Sequence, residues 1–288
     1  MTGTTQDTTA PHAVDTARTG PLDAPPATGR EDLPAVRRDA AAALRALIEA
    51  AHDLDDDSLG SPSSLDGWTV GHVLSHVAMV GEALARQAEL AAQGETAEVY
   101  EGGAEGRAAG IEAGAHRTRD EHVDALTAAG ARLEAAWSLT DSTGWDAPVT
   151  YREGTVADVL DCWWREARIH ATDLGEVSAA LRLTPSQTWE LAFTDHLLDF
   201  LSPRLPGPVV TVRHEDGARS VVGPEGVWPA VENTSTDDGL TTVAGSAADV
   251  AAWLAGRATA TDPTAHRHGE TVDLPALGPW PSGVPVRR

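Results

Sequence analysis

The chain has 288 residues, with a formal net charge of −23 and a hydrophobic content of 41%. That apolar content can form a packed core, and the length allows two ordinary domains. The strongly negative charge opposes nucleic-acid binding, because a phosphate backbone needs a basic partner. A single cysteine excludes an intrachain disulfide and any zinc site built from several cysteines.

Lysine is absent, so all 21 basic side chains are arginine. This removes mechanisms that need a lysine amine, such as a Schiff base or a Walker A phosphate site. The sequence offers no run of about 18 apolar residues that could span a membrane. Its first residues also lack the basic start and apolar stretch of a secretory signal. We therefore expect a cytoplasmic protein that contacts no membrane.

The first part of the chain predicts a helical bundle. Residues 1–29 are rich in Thr, Ala, Pro and Asp, and we expect a disordered extension there. Apolar residues at helical spacing then predict an antiparallel four-helix bundle over residues 30–183. The expected helices begin near residues 31, 69, 116 and 156, and the first, third and fourth end near residues 54, 137 and 174. Thr69 is the predicted N-cap of the second helix, and the Gly-rich residues 101–110 are expected to be loose.

The pattern changes after about residue 183. Residues 185–201 predict one more helix, and short β-like runs between residues 208 and 245 follow, separated by Gly, Asp and Pro. Residues 246–257 predict a helix that packs on that sheet. Residues 184–260 therefore form a small α+β domain in this interpretation, and residues 261–288 form an irregular tail. The fold class is a helical bundle followed by an α+β domain.

The fourth predicted helix carries the first candidate ligands. Glu166 and His170 are four positions apart, so their side chains point the same way one turn apart. In a helical projection, His170 falls within the apolar face and Glu166 lies at its edge. A carboxylate there is costly unless it is paired or binds a metal. By itself the pair is more typical of a Glu–His hydrogen bond or of a core histidine with its polar groups satisfied, because the spacing is a short pattern. A third ligand from another helix would favour a zinc site instead.

The second predicted helix offers a third ligand. His76 flanks its apolar stripe, whereas His72 points further toward solvent and sits near the helix start. His76, Glu166 and His170 would leave a fourth coordination position open, which is typical of catalytic zinc sites. Cys162 is interpreted as a buried small hydrophobe, although a fourth ligand is the alternative.

These segments resemble a known family. LDGWTVGHVLSHVA, followed by WWREARIHATDLG, is similar to the mycothiol-dependent maleylpyruvate isomerase family, whose metal-binding domain is a DinB-like four-helix bundle. The later segment VAGSAADVAAWLAGRA resembles the end of that family's second domain. The likeness runs from about residue 33 to 258. His72 departs from it, because this position is usually acidic in relatives.

The resemblance implies a two-domain enzyme that uses zinc, or another divalent metal, together with the small-molecule thiol mycothiol. Binding of the thiol's sulfur to zinc would deprotonate it. The thiolate would then act on a small, electrophilic and anionic substrate, either as an isomerase or as an S-transferase. A non-catalytic DinB-like metal-binding protein and a zinc-dependent hydrolase stay open as alternatives.

Two further residues enter through the same resemblance. Asp173, three residues after His170, is expected to support the metal ligands or to contact the thiol, with a plain surface Asp near the helix end as the alternative. Arg257 is expected to lean from the C-terminal domain toward the bundle and to bind a carboxylate of substrate or thiol as a catalytic residue, because a planar guanidinium suits that group. The competing interpretation is that Arg257 only caps the end of its helix.

Overall fold

A computed structural model describes residues 32–140, 144–175, 184–229 and 239–281. The predicted disordered extension, residues 1–29, lies outside the described residues. The helices of the first part are α1 (Leu33–His52), α2 (Asp56–Leu59), α3 (Val70–Ala92), α4 (Gly103–Ala115), α5 (Arg119–Leu139) and α6 (Val156–His170). Helices α1 and α3 each pack against both α5 and α6. The predicted four-helix bundle is therefore confirmed.

Helix α3 begins as its sequence predicts. The side chain of Thr69 accepts a hydrogen bond from the His72 backbone amide at 3.4 Å, and the His72 ring closes a capping box by reaching back to the Thr69 backbone. Such pairing satisfies amide groups that a helix start otherwise leaves free. The predicted apolar stripe of α3, from Val70 to Leu84, is buried in the bundle core.

Helix α4 corrects the expectation that residues 101–110 are loose. Its glycines allow close packing on α3 rather than flexibility. A Cβ atom added at Gly114 would lie 2.2 Å from Ser75 Oγ, and one added at Gly110 would lie 2.5 Å from Met79 Cε. The helix thus depends on tertiary contact with α3, which a pattern search within the segment does not detect.

Helix α6 is shorter than predicted, because it ends at His170 rather than near Leu174. The chain then turns. The amide of Asp173 donates to the His170 carbonyl at 3.1 Å, and Gly175 adopts a left-handed conformation with φ of 72°. Glycine is the residue that takes this conformation without steric cost. Asp173 therefore lies in the turn immediately beyond the helix.

The second part of the chain is a mixed α+β unit, as predicted. Its elements are α7 (Pro185–Thr188), α8 (Leu191–Leu201), β1 (Val209–Arg213), β2 (Arg219–Gly223), β3 (Gly226–Pro229), β4 (Thr241–Gly245), α9 (Ala247–Ala255), β5 (Thr264–Arg267) and β6 (Glu270–Val272). The sheet order is β3-β2-β1-β4-β5-β6, and only β1 and β4 pair in parallel among the described strands. Helix α9 packs on α8 and on β4.

Two expectations for this part were wrong. The single helix predicted over residues 185–201 is two helices, because Trp189 adopts an extended conformation between them. The irregular tail predicted for residues 261–288 instead supplies β5 and β6, with Ala265 paired to Val243 of β4. Both strands are short and largely polar, so their pairing depends on the neighbouring strand more than on their own pattern. None of the described helices is long and apolar enough to cross a membrane.

Candidate metal centre

Helices α3 and α6 bring three predicted ligands together. His76 Nε2 lies 3.0 Å from Glu166 Oε2 and 3.1 Å from His170 Nε2. The same Glu166 oxygen lies 3.2 Å from His170 Nε2. His76 is buried, and the other two side chains are partly buried. Among the described residues, these three form the group whose ligand atoms converge as a metal ion requires.

Asp173 contacts His170 at Nδ1, the ring nitrogen that lies outside the cluster. Its Oδ2 lies 2.9 Å from His170 Nδ1, so a neutral ring that donates there keeps its Nε2 lone pair directed at the cluster. The same carboxylate accepts two hydrogen bonds from Arg257, from Nε at 2.9 Å and from Nη2 at 2.8 Å. Asp173 is fully buried. A buried carboxylate is stable only with such partners, and here it has two.

Arg257 leans toward the bundle and also caps its own helix, and its expected binding of a substrate or thiol carboxylate stays a prediction. Its fork crosses from the end of α9 to the turn after α6, as the leaning interpretation requires. Its Nη1 also donates to the carbonyl of Ala255 at 2.8 Å, which is the helix-capping contact. The guanidinium lies 5.6 Å from the centroid of the Trp280 ring. Its bidentate face is therefore directed at a carboxylate of the protein itself.

His76 has a different neighbour. The Nη2 of Arg107, from α4, lies 3.2 Å from His76 Nδ1. A guanidinium has no lone pair to accept with, so Arg107 donates and Nδ1 accepts. The guanidinium carbon of Arg107 lies 5.7 Å from the centroid of the Tyr100 ring. Arg107 was not predicted from the sequence, because the helix that carries it was not recognised.

The charges of the cluster are set by these contacts. Burial raises the pKa of Glu166, but hydrogen bonds with His170 and His76 outweigh it and hold the pKa well below the usual value. Burial lowers the pKa of His170, yet Asp173 and Glu166 raise it to about 9. The pKa of His76 is lowered, first by burial and also by the charges of His170 and Arg107. The cluster therefore holds a permanent carboxylate between two unlike imidazoles.

The donor set fits zinc. Two imidazole nitrogens and a carboxylate are ligands that zinc prefers, and the buried ionised Glu166 supplies the negative charge. His170 already carries the carboxylate partner found behind metal-bound histidines. One adjustment is required, because a His76 ring that binds metal through Nε2 carries its proton on Nδ1. Arg107 would then have to move away from that nitrogen.

The helical bundle matches a known protein family. The model of the mycothiol maleylpyruvate isomerase N-terminal domain matches residues 37–175. The helical bundle belongs to this family. The match contains all three clustered side chains and the turn that carries Asp173, and it also includes α4. No curated protein sequence matches the chain at a significant level.

Solved structures show the same fold beyond the bundle. The crystal structure of the mycothiol-dependent maleylpyruvate isomerase is 24% identical, with a TM-score of 0.69 over 86% of this chain and 97% of that one. A histidine-to-alanine mutant of that enzyme is 23% identical, with a TM-score of 0.68 over the same shares. The two-part architecture of a helical bundle and a small mixed sheet is thus shared with this family.

The remaining candidates lie outside the cluster of three. His72 Nδ1 contacts Thr69 at the start of α3, and His72 Nε2 lies 3.1 Å from Glu112, an acidic side chain of α4. Cys162 is buried one turn before Glu166, and burial is the first cause that raises its pKa to about 11. Its sulfur is not among the converging ligand atoms of the described residues.

Proposed function

We propose that this chain is a mycothiol-dependent metalloenzyme that acts as an isomerase or S-transferase on a small electrophilic substrate. The observation that carries the proposal is the convergence of His76, Glu166 and His170 inside a bundle of the mycothiol maleylpyruvate isomerase family. These three side chains would hold zinc or another divalent metal. The structurally similar enzyme is described as mycothiol-dependent and as an isomerase of maleylpyruvate.

A metal held there would lower the pKa of a coordinated thiol, so that the thiol is a nucleophile at neutral pH. The chain's own residues provide the setting. Glu166 and the two imidazoles supply one negative charge and leave a position open for the thiol. Asp173 orients His170 through Nδ1. Cys162, with its raised pKa, is a poor nucleophile itself, so the reactive sulfur must come from outside.

We propose that Arg257 contributes to the same site from the C-terminal part. Its contacts with Asp173 and Ala255 use fewer N–H groups than a guanidinium has. A substrate carboxylate could therefore bind to the remaining donors while Arg257 continues to hold Asp173. This role makes the expected substrate an anion.

The first test is metal content. The purified protein should bind about one zinc ion per chain, as one three-ligand site requires. His76→Ala, Glu166→Ala and His170→Ala should each abolish zinc binding. His72→Ala is the matched control, because it removes a histidine from the same helix and should change zinc binding little. Loss of zinc in His72→Ala with retention in His76→Ala would contradict the proposed ligands.

The second test concerns the thiol. In the cobalt-substituted protein, mycothiol should produce a sulfur-to-metal charge-transfer band, and Cys162→Ser should retain both the metal and the band. Turnover of maleylpyruvate should then require mycothiol. Metal binding without thiol binding or turnover would favour a non-catalytic metal-binding protein. Hydrolytic turnover that is independent of mycothiol would favour a zinc hydrolase.

A further inference from the structure

Arg107 stands beside the candidate metal centre without an anionic partner. Its described neighbours are the His76 ring, at 3.2 Å, and the Tyr100 ring, at 5.7 Å from the guanidinium carbon. Neither group carries a negative charge to pair with it. Within the described parts of the chain, no carboxylate forms an ion pair with Arg107.

Asp and Glu residues number 44 and outnumber the 21 arginines, so carboxylate partners are abundant. Some partly buried arginines form an ion pair, whereas the contacts of Arg86 and Arg204 among the described residues are with backbone carbonyls and a ring. Arg168 pairs with Asp39, and Arg257 pairs with Asp173. Arg107 is partly buried on α4.

The surroundings of His170 and His76 differ by one carboxylate. Behind His170, the carboxylate of Asp173 accepts from Nδ1 and from the fork of Arg257. Behind His76, an arginine is present but the carboxylate is missing, and the guanidinium touches Nδ1 directly. A ring that binds metal through Nε2 presents an N–H at Nδ1, which meets the N–H groups of Arg107 as a second donor. Two donors side by side require an acceptor between them.

We propose that Arg107 is a specificity-determining residue that binds a carboxylate of the small-molecule substrate, beside His76, once the metal is held. The carboxylate would take the place behind His76 that Asp173 takes behind His170, bound by the guanidinium fork and by the Nδ1–H of His76. The fork of arginine matches a carboxylate in a way that a lysine ammonium does not. This inference rests on the proposed metal site, but it adds a charge requirement for the substrate on the α4 side of that site.

The experiment uses the zinc-loaded protein and maleate as a small dicarboxylate probe, with the uncharged diamide maleamide for comparison. Maleate binding is measured by calorimetry without thiol, and zinc affinity by chelator competition. The variants are Arg107→Gln, which removes the charge, and Arg107→Lys, which keeps it but removes the fork. Arg117→Gln is the matched control, because it removes the same charge from an exposed arginine just after α4.

The wild-type protein should bind maleate and not maleamide. Arg107→Gln should weaken maleate binding about tenfold or more, while Arg107→Lys should fall between it and wild type. Zinc affinity should be unchanged or higher in Arg107→Gln, because a cation beside a metal ligand has been removed. Arg117→Gln should match wild type in both measurements.

Three outcomes would overturn the proposal. The wild-type zinc protein could fail to bind maleate, or Arg107→Gln could bind it as tightly as wild type. Arg107→Gln could also lose zinc in parallel with maleate, which would make Arg107 a residue that only positions His76. These outcomes are separate from failure of the proposed function, which would appear as absent zinc or absent mycothiol binding in the wild-type protein.

Discussion

The two sides of the candidate metal centre are built differently. On the α6 side, His170 is backed by the buried carboxylate of Asp173, which is itself held by Arg257. On the α3 side, His76 is backed by the cation of Arg107. The pKa of the first imidazole is raised to about 9, and that of the second is lowered. One side is complete within the protein, while the other has an arginine without a carboxylate.

On the α6 side the protein itself supplies the carboxylate, and on the α3 side we propose that a ligand supplies it. The support of His170 is local, because Asp173 follows it by three residues in the turn that ends α6. The support of His76 comes from a separate helix that is packed on α3 through glycine. We therefore expect changes near Asp173 to affect metal binding and stability, and changes near Arg107 to affect the binding of anions.

The largest effect is expected from Asp173→Asn. The change removes the negative charge behind His170 and leaves Arg257 without its ion-pair partner. Zinc affinity should fall roughly 10- to 100-fold, as for other carboxylates behind metal-bound histidines. The free energy of unfolding should fall by about 3 kcal/mol, because a buried cation loses its partner. Chelator competition and urea unfolding of the metal-free protein measure the two quantities.

Arg107→Gln is the comparison for Asp173→Asn, since it alters the other side of the cluster. Only the Asp173 variant should lose zinc affinity. Equal losses in both variants would mean that the two histidines are supported in the same way, and the contrast between the two sides would be wrong.

The next effect is expected from Arg257→Ala. It leaves the Asp173 carboxylate buried with His170 as its remaining polar side-chain partner, so the free energy of unfolding should fall by about 2 kcal/mol. Arg257→Lys should recover part of this loss, because the charge remains but the bidentate contact does not. Zinc affinity should fall less than in Asp173→Asn, since the bond to His170 Nδ1 persists.

Turnover separates the two roles of Arg257. If both variants retain full activity on the substrate, Arg257 serves only the end of α9 and the stability of Asp173. If Arg257→Lys loses activity while its fold and zinc content persist, recognition of a carboxylate by the fork is supported.

A smaller effect is expected from Gly114→Ala, which acts on the α3 side without changing any charge. The added Cβ would lie 2.2 Å from Ser75 Oγ, so either the Ser75 side chain or α4 must shift. The free energy of unfolding should fall by about 1–2 kcal/mol, and maleate binding should weaken while zinc affinity is retained. The double variant Gly114→Ala with Ser75→Gly restores the space and should restore maleate binding. Unchanged maleate binding in Gly114→Ala would show that α4 does not position Arg107.

The sequence predicted the cluster of His76, Glu166 and His170 because the patterns that place these side chains are local. Glu166 and His170 are one helical turn apart, and the cap at Thr69 sets the register that turns His76 inward. Arg107 was missed because the glycines of α4 were interpreted as a loop, whereas they serve contact with α3. Such contact joins segments that are distant in the chain, whereas hydrophobic periodicity describes only one segment at a time.

In the C-terminal part, too, local patterns did not predict the elements that depend on distant segments. Strands β1 to β4 were predicted from apolar runs, which one strand displays by itself. Strands β5 and β6 carry few apolar residues, and they form because β4 offers an unpaired edge to β5. Trp189 likewise interrupts an apolar pattern that looks helical over residues 185–201, because its buried ring packs against Phe193.

The smallest effect at neutral pH concerns His122, a buried histidine with neither a carboxylate nor a metal. Both of its ring nitrogens are buried and lack a hydrogen bond of normal geometry among the described residues. Burial is the first cause that lowers its pKa to about 4, and the charge of Arg117 adds to it. His122→Leu removes this unsatisfied polar group, so the protein should gain about 1 kcal/mol of unfolding free energy at pH 7.

The pH dependence of this gain gives the sharper test. Because the folded pKa of His122 lies below the unfolded value of about 6.5, the ring is neutral in both the folded and the unfolded chain above that pH, and its titration does not change the stability there. Stability is then lost as the pH falls from about 6.5 toward 4, where the unfolded chain takes up a proton first. Urea unfolding of the metal-free proteins should therefore show a growing advantage of His122→Leu across this window, whereas His116→Leu, which changes an exposed histidine, should show none. A constant difference between His122→Leu and wild type would mean that His122 is protonated as readily in the folded protein as in the unfolded chain. It would also contradict the view, drawn from His76 and His170, that the surrounding groups set the pKa of a buried histidine in this bundle.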